Sequence, residues 1–268
     1  MKTPSKAQLT AILGAIALLV LLLFARKTGA PESTKKSESP QHVDFSIAIF
    51  IDSIKATLPE AAKLQLAKLE ALKNVNDSLS QFWLSNSQPG IAAFYLKKGA
   101  TLLPTFTSWN KAGEFFYKAS RFAKDEARHY FIDNAIESYN KALELDSTNL
   151  DTKVNLGICY VESSGEPMKG IMLLREVVSK DSTHINAQLN LGLFAVQSGQ
   201  YDKAIERFER ILQMKPEFTE AYLYLGQTYA SMGKKDKAIE ALEKFKKLSN
   251  DAAISAEVTE YINQLKNS

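Results

Sequence analysis

The sequence predicts an all-α chain: a stack of about five helix pairs with covering helices at both ends, preceded by one transmembrane helix. Three observations carry this. The glycine of "NLGICY" (Gly157) recurs in "NLGLFA" (Gly192) and "YLGQTY" (Gly226), at intervals of 35 and 34 residues. The amphipathic segment "YDKAIERFERILQMKP" at 201–216 returns as "KDKAIEALEKFKKLSN" at 235–250. Finally, "AQLTAILGAIALLVLLLFA", residues 7–25, runs for nineteen residues without a charge.

That run comes first in the chain. At about 1.5 Å per residue it reaches about 30 Å, the thickness of a bilayer core. A cleaved secretory signal has a shorter apolar region, about 7 to 15 residues. Its small-residue exit here, Thr28-Gly29-Ala30, would run straight into Pro31, so residues 1–25 read as an uncleaved anchor. Basic residues flank both ends (Lys2 and Lys6, then Arg26 and Lys27) and nearly balance. A short head before a long body places the head inside and the body on the periplasmic or extracytoplasmic side. Residues 26–43, "RKTGAPESTKKSESPQHV", have almost nothing to bury and read as a flexible tether with a reach of roughly 25 Å.

Residues 44–105 form a helical N-terminal region. "DFSIAIFIDSIKATL" (44–58) alternates like a strand from Phe45 to Ile51, but is read as a helix that packs on its neighbour or on a partner. "PEAAKLQLAKLEALKNVNDSLSQFW" (59–83) sets Leu66, Leu69, Leu72, Val75 and Leu79 at three- and four-residue steps, and is expected to be one long amphipathic covering helix. A degenerate repeat unit fits 73–105, with Leu79, Trp83, Ala92, Leu96, Gly99 and Pro104.

Each later unit reads as two helices. The first ends near a glycine, Gly199 or Gly233, where a left-handed cap is free of strain. The second opens with Asp202 or Asp236 in its first turn, where a negative charge suits the helix dipole. Unit 185–218 carries Leu191, Gly192, Ala204, Phe208 and Pro216, and unit 219–252 carries Tyr222, Leu225, Gly226, Tyr229, Ala238 and Leu242. Unit 150–184 carries Leu156, Gly157 and Tyr160, then one extra residue and Gly170 where an alanine is expected. Unit 106–149 has Trp109, Ala112, Gly113 and Phe116, then Ala135, Tyr139 and Ala142. About ten extra residues between its halves, near "AKDEARHYFI", suggest an elongated hairpin. Residues 253–268 place Ala253, Ile254, Val258, Tyr261, Ile262 and Leu265 on one face of a capping helix.

In these residues the chain resembles the tetratricopeptide repeat family, and specifically membrane-anchored proteins of bacterial type. The resemblance implies a right-handed solenoid whose first helices line a concave groove that takes a peptide or a partner helix. Carried over to this sequence, the groove positions are Val154, Asn155, Ile158 and Val161, then Leu189, Asn190, Leu193 and Val196, then Leu223 and Gln227. Asn155 and Asn190 could pair with a ligand backbone, since an amide side chain both donates and accepts. The lysine or arginine clamp that some members use on a C-terminal carboxylate is missing, because its second position holds Asp151, Asn186 and Glu220. The remaining apolar surface suits an amphipathic helix or an apolar peptide. The competing reading is that the chain covers this surface itself, with residues 44–58.

Other classes find little support. Interspersed charge, 33 basic against 30 acidic residues, supplies no basic stripe for nucleic acid. One cysteine, Cys159, cannot form an internal disulfide or a cysteine metal cluster, and it reads as a small buried hydrophobe. His42, His129 and His184 read as separate surface residues. Ser138 with Lys141 and Ser231 with Lys234 match a Ser-x-x-Lys spacing without its companion motifs. Glu206 and Glu209 fall on the wet face of a helix. The sequence therefore reads as a non-enzyme without cofactor, metal, nucleic acid or small-molecule substrate: a membrane-tethered scaffold for partner proteins. The alternative is a chaperone-like accessory factor in protein export or envelope assembly.

Overall fold

The structure, a computed structural model, describes residues 45–73, 75–163 and 165–267; the expected anchor and tether lie outside them. Among the described residues there are thirteen α-helices and no strand, and no helix is long and apolar enough to cross a membrane. Two lead-in helices, α1 (Ile47–Thr57) and α2 (Glu60–Glu70), precede five pairs. The pairs are α3 (Asn76–Ser85) with α4 (Pro89–Leu102), α5 (Phe106–Ser120) with α6 (Asp125–Leu145), and α7 (Leu150–Glu162) with α8 (Pro167–Lys180). They continue with α9 (Ile185–Gln197) and α10 (Tyr201–Met214), then α11 (Thr219–Ser231) and α12 (Lys235–Leu248), and α13 (Ala252–Asn267) closes the stack.

Two expectations fail here for local reasons. Residues 59–83 are not one helix. α2 ends at Ala71, whose N–H reaches Ala67 and Leu69 carbonyls, and a turn through Leu72 and Lys73 precedes α3. The apolar spacing runs through the break because both helices face one cluster: Leu66 and Leu79 are buried, and Leu69 and Val75 lean on it. Leu72, in the turn, is left exposed. Nor is the α5–α6 hairpin elongated. The extra residues lengthen α6 instead, to 21 residues against 14 in α8, α10 and α12.

The strand-like alternation of 44–58 resolves as helix α1, capped by Ser46, whose hydroxyl accepts the Ile49 N–H at 3.4 Å. Its buried residue Ile51 joins Leu58, Phe82, Trp83, Ile91 and Tyr95 in one core. The rings of Phe45 and Phe50 meet the added first turns of α6. Phe45 lies 4.9 Å from Tyr130 and 5.7 Å from Phe131, and Phe50 lies 6.4 Å from Phe131. The longer α6 thus supplies the wall on which α1 rests.

Within a pair, glycine sets how closely the helices cross. A Cβ at Gly192 would stand 2.5 Å from the Phe208 ring, and one at Gly226 2.5 Å from Leu242. In α7–α8 the contact is closer still. A Cβ at Gly170 would meet the Gly157 carbonyl oxygen at 2.2 Å and the Val161 nitrogen at 2.8 Å, so backbone lies on backbone. This explains why glycine replaces the expected alanine at 170. The first helices end as expected: Gly199 (φ +72°) and Gly233 (φ +71°) take the left-handed cap.

Successive first helices touch one another, α5 with α7, α7 with α9 and α9 with α11. Successive second helices do not approach to that extent. The first helices therefore lie on the inner side of the curve, and the second helices are splayed on the outer side.

Candidate partner-binding face

Val154, Asn155, Ile158 and Val161 project from α7, Leu189, Asn190, Leu193 and Val196 from α9, and Leu223 and Gln227 from α11. These are the inner helices of the stack. The residues differ in what they can offer. Val154 is only 2% exposed, packed among Leu174, Val177, Ala187 and Leu191 between α7, α8 and α9. The contact expected of it with a ligand is instead made within the protein. Val161 is half-buried and leans toward α8, its Cγ2 2.7 Å from where a Gly170 side chain would begin.

The remaining apolar residues keep free surface. Ile158 is half-buried against the Val154 cluster, and Leu189, Leu193 and Val196 are half-buried against Phe208, Ala221 and Leu225. Leu223 packs partly on the cluster that α13 closes with Val258 and Ile262. Tyr224, between these groups, stacks on Phe208 with ring centres 5.7 Å apart. Of the polar residues, Gln227 is exposed and Asn155 half-buried, the Asn155 amide with no hydrogen bond among the described residues. Asn190 has already committed its Nδ2, which donates to the Asn186 carbonyl at 2.8 Å, leaving Oδ1 as its open acceptor.

The segment proposed as a self-cover packs elsewhere. From Phe45 to Leu58 its side chains lie on α3, α4 and the start of α6. None of the clusters around Ile158, Leu189, Leu193 or Leu223 includes a residue of α1.

Charge on this face is sparse and mostly internal. His184 accepts the Ala187 N–H through Nδ1 as the cap of α9, while its Nε2 faces Asp151 at 3.2 Å. Sequence reading placed this histidine on the surface. Its capping role could have been found from the period, since "DSTN" at 146–149 and "DSTH" at 181–184 occupy equivalent turns. A polar bracket across three helices was also missed. The Tyr117 hydroxyl donates to Glu162 at 2.8 Å, and Arg128 reaches the same carboxylate at 3.1 Å and the Glu162 carbonyl at 3.3 Å. Burial and the neighbouring Glu162 push the Tyr117 phenol well above its usual value, so it remains a donor. The partners are 34 and 45 residues apart, and no local pattern joins them.

The candidate reactive groups are engaged or enclosed. Ser138 donates to the Asn134 carbonyl at 2.7 Å and Ser231 to the Gln227 carbonyl at 2.9 Å. Cys159 is fully buried, which pushes its thiol far above the usual range. Among the described residues no three His, Cys, Asp or Glu side chains gather as a metal site. Glu209 accepts from the Tyr229 hydroxyl at 3.2 Å, and Glu206 faces Arg210 at 3.9 Å, so both carboxylates have structural neighbours.

Comparison with known proteins agrees with the helical-repeat fold. Two sequence profiles, each described as tetratricopeptide repeat, match residues 195–256 and 132–149. A BBSome complex member, BBS4 of Xenopus tropicalis, is 33% identical over 103 residues, which are 36% of this chain. The chain spans only 19% of that protein's length. Among solved structures, MamA superposes with a TM-score of 0.51 at 24% identity, covering 66% of this chain and 95% of that one. PilW, described as a widely conserved type IV pilus biogenesis factor, superposes at 0.57 with 18% identity, covering 72% and 86%. The chain carries tetratricopeptide repeats, stacked as an all-helical solenoid.

Proposed function

We propose that this protein is a non-catalytic scaffold that captures an apolar peptide or an amphipathic helix of a partner protein on its inner face. In this reading residues 7–25 hold it at a membrane, with the solenoid on the periplasmic or extracytoplasmic side. The supporting observation is the row of half-exposed apolar side chains, Ile158, Leu189, Leu193 and Val196, on adjacent inner helices that α1 leaves uncovered. A partner helix would bury these residues, and Asn155 and the free Oδ1 of Asn190 would meet polar groups of its backbone. A second reading, a chaperone-like accessory factor in export or envelope assembly, is favoured by the fold shared with the pilus biogenesis factor PilW.

The test is crosslinking capture from membranes, quantified against the parent protein. Replacing Asn155 and Asn190 together by alanine should leave melting unchanged and weaken capture by roughly 1 to 3 kcal/mol. Leu189→Glu should weaken it further, because binding would bury an unpaired charge. Glu206→Ala, on the outer face, is the control. Full capture by the double variant together with loss in Glu206→Ala would move the binding face to the outer side. One stoichiometric partner supports the scaffold, and many unfolded clients support the chaperone. Topology is read separately, from a reporter fused after Ser268 that is active only outside the cytoplasm; a silent reporter would reverse the assigned side.

A further inference from the structure

Helix α2 has two apolar stripes. One faces inward, with Leu66 buried and Leu69 half-buried in the core beneath α1. The other faces out: Leu64 is 65% exposed and Leu72, in the turn just after the helix, 60% exposed, with exposed Lys68 between them at a four-residue step. Burial of a leucine is worth about 1.5 to 3 kcal/mol, so a surface that covered both would gain from them.

The charges around them are not balanced locally. Both carboxylates of α2 are engaged, Glu60 with Lys63 at 2.8 Å and Glu70 with Lys55 at 2.7 Å. Lys68 and Lys73 have no acidic partner among the described residues. Leucines flanked by uncompensated lysines match the boundary of an anionic bilayer, where acyl chains take up the apolar groups and headgroups the ammonium ions.

Chain length favours a bilayer over a protein as the occupant. Nineteen residues, 26–44, separate the uncharged run 7–25 from Phe45, and a chain of that length spans at most about 65 Å. The helices that follow first, α1 and α2, therefore stay near whatever bilayer holds that run. Confinement raises the effective concentration of surface so far that a weak contact suffices.

We infer that Leu64, Lys68, Leu72 and Lys73 form a docking face that rests on an anionic membrane surface. The inference builds on the anchor reading above. Docking ties the N-terminal end of the stack to the membrane.

The full chain in mixed phosphatidylcholine and phosphatidylglycerol vesicles tests it. A fluorophore on Gln65→Cys, beside the face, is compared with one on Glu260→Cys of α13, both exposed positions, and buried Cys159 is shielded from the label. Nitroxide-bearing lipid should quench the position-65 label several-fold more than the position-260 label. The excess should vanish in the Leu64→Glu/Leu72→Glu variant. Docking should weaken roughly fivefold per lysine in Lys68→Glu/Lys73→Glu. Flotation and an alkaline carbonate wash report the anchor independently. Equal quenching at both positions in protein that survives the wash overturns docking and leaves the anchor standing. Protein stripped by the wash overturns the anchor, and excess quenching at position 65 before the wash then upholds docking by itself. Quenching that persists in pure phosphatidylcholine and in the lysine variant overturns the anionic surface.

Discussion

The first and last pairs of the stack solve one geometric problem with different residues. In α11–α12 the turn is made by Gly233 at φ +71°, whose N–H reaches the Ala230 carbonyl while Lys234 N–H reaches Tyr229. In α3–α4, Ser87 at φ +59° makes the same two bonds, with Leu84 and through Gln88 with Trp83. Seven residues before each turn stands Gly226 in one pair and Ser80 in the other, both buried at the helix crossing. Three residues further, the Tyr229 hydroxyl finds Glu209, whereas the buried Trp83 indole N–H has no partner. The backbone repeats more faithfully than the side chains do, and the N-terminal pair carries the strain. A tetratricopeptide profile matches residues 195–256, where Gly199 and Gly233 make the turns; in 76–102 the same turn is built on Ser87.

The largest predicted effect lies where backbone crosses backbone. Gly170→Leu should cost more than about 3 kcal/mol, because the Gly157 carbonyl and Val161 amide beside it cannot rotate away. Gly170→Ala restores the residue type found at Ala204 and Ala238, yet it too should lower the urea midpoint rather than gain helix propensity. A rise in the midpoint would show that α7 and α8 can separate without loss. Gly192→Leu should cost less, roughly 1 to 3 kcal/mol, since the opposing Phe208 ring has a rotamer to change. An unchanged melting point there would misplace the helix crossing.

These two glycines also show what was legible. The period and the pairs could be read from the spacing of Gly157, Gly192 and Gly226 and from apolar faces such as Ala204, Phe208 and Ile211, while the inner and outer helices came from the resemblance to tetratricopeptide repeats. The break at Ala71 could not be read, because a three- and four-residue step does not distinguish one helix from two that share a core. The lengthening of α6 was visible as surplus residues, but whether they coil or extend depends on Phe45 and Phe50 packing against them from more than 75 residues away. At the candidate site, the resemblance assigned positions to the inner helices, but not which side chains there are free. Val154 and Leu189 occupy the same register; the first is enclosed by Leu174 and Val177, and the second is half-exposed.

A smaller effect tests the comparison directly. A left-handed conformation strains a residue with a Cβ by roughly 1 to 2 kcal/mol, part of which glycine returns through a more flexible unfolded chain. Ser87→Gly should therefore stabilise the protein, by up to about 1 kcal/mol, and Gly233→Ser should destabilise it by a similar amount. Thermal melting of both variants decides this. If Ser87→Gly leaves the midpoint unchanged or lowers it, the serine turn is unstrained and the two ends of the stack are equivalent after all.

The smallest effect concerns the turns between units, where the chemistry does repeat. Asp146 accepts from the Thr148 hydroxyl at 2.6 Å and its N–H at 3.0 Å, and Asp181 does the same with Thr183 at 2.6 and 2.9 Å. The threonine hydroxyl first, and then the backbone N–H, hold both carboxyls below the usual carboxylate range. A depressed folded-state value means the contribution is present above the unfolded value of about 3.9 and is lost as pH falls through the lower folded value. The Asp146→Ala/Asp181→Ala variant should therefore melt slightly below the parent at neutral pH. The gap should close as the pH falls through the lowered folded-state value, where the parent's carboxyls take up protons and release their threonines. Melting curves at several pH values read this from the difference between the two proteins, which cancels every carboxylate they share. A gap of constant size down to the acid limit would assign the turns' stability to backbone geometry instead of to these charged hydrogen bonds.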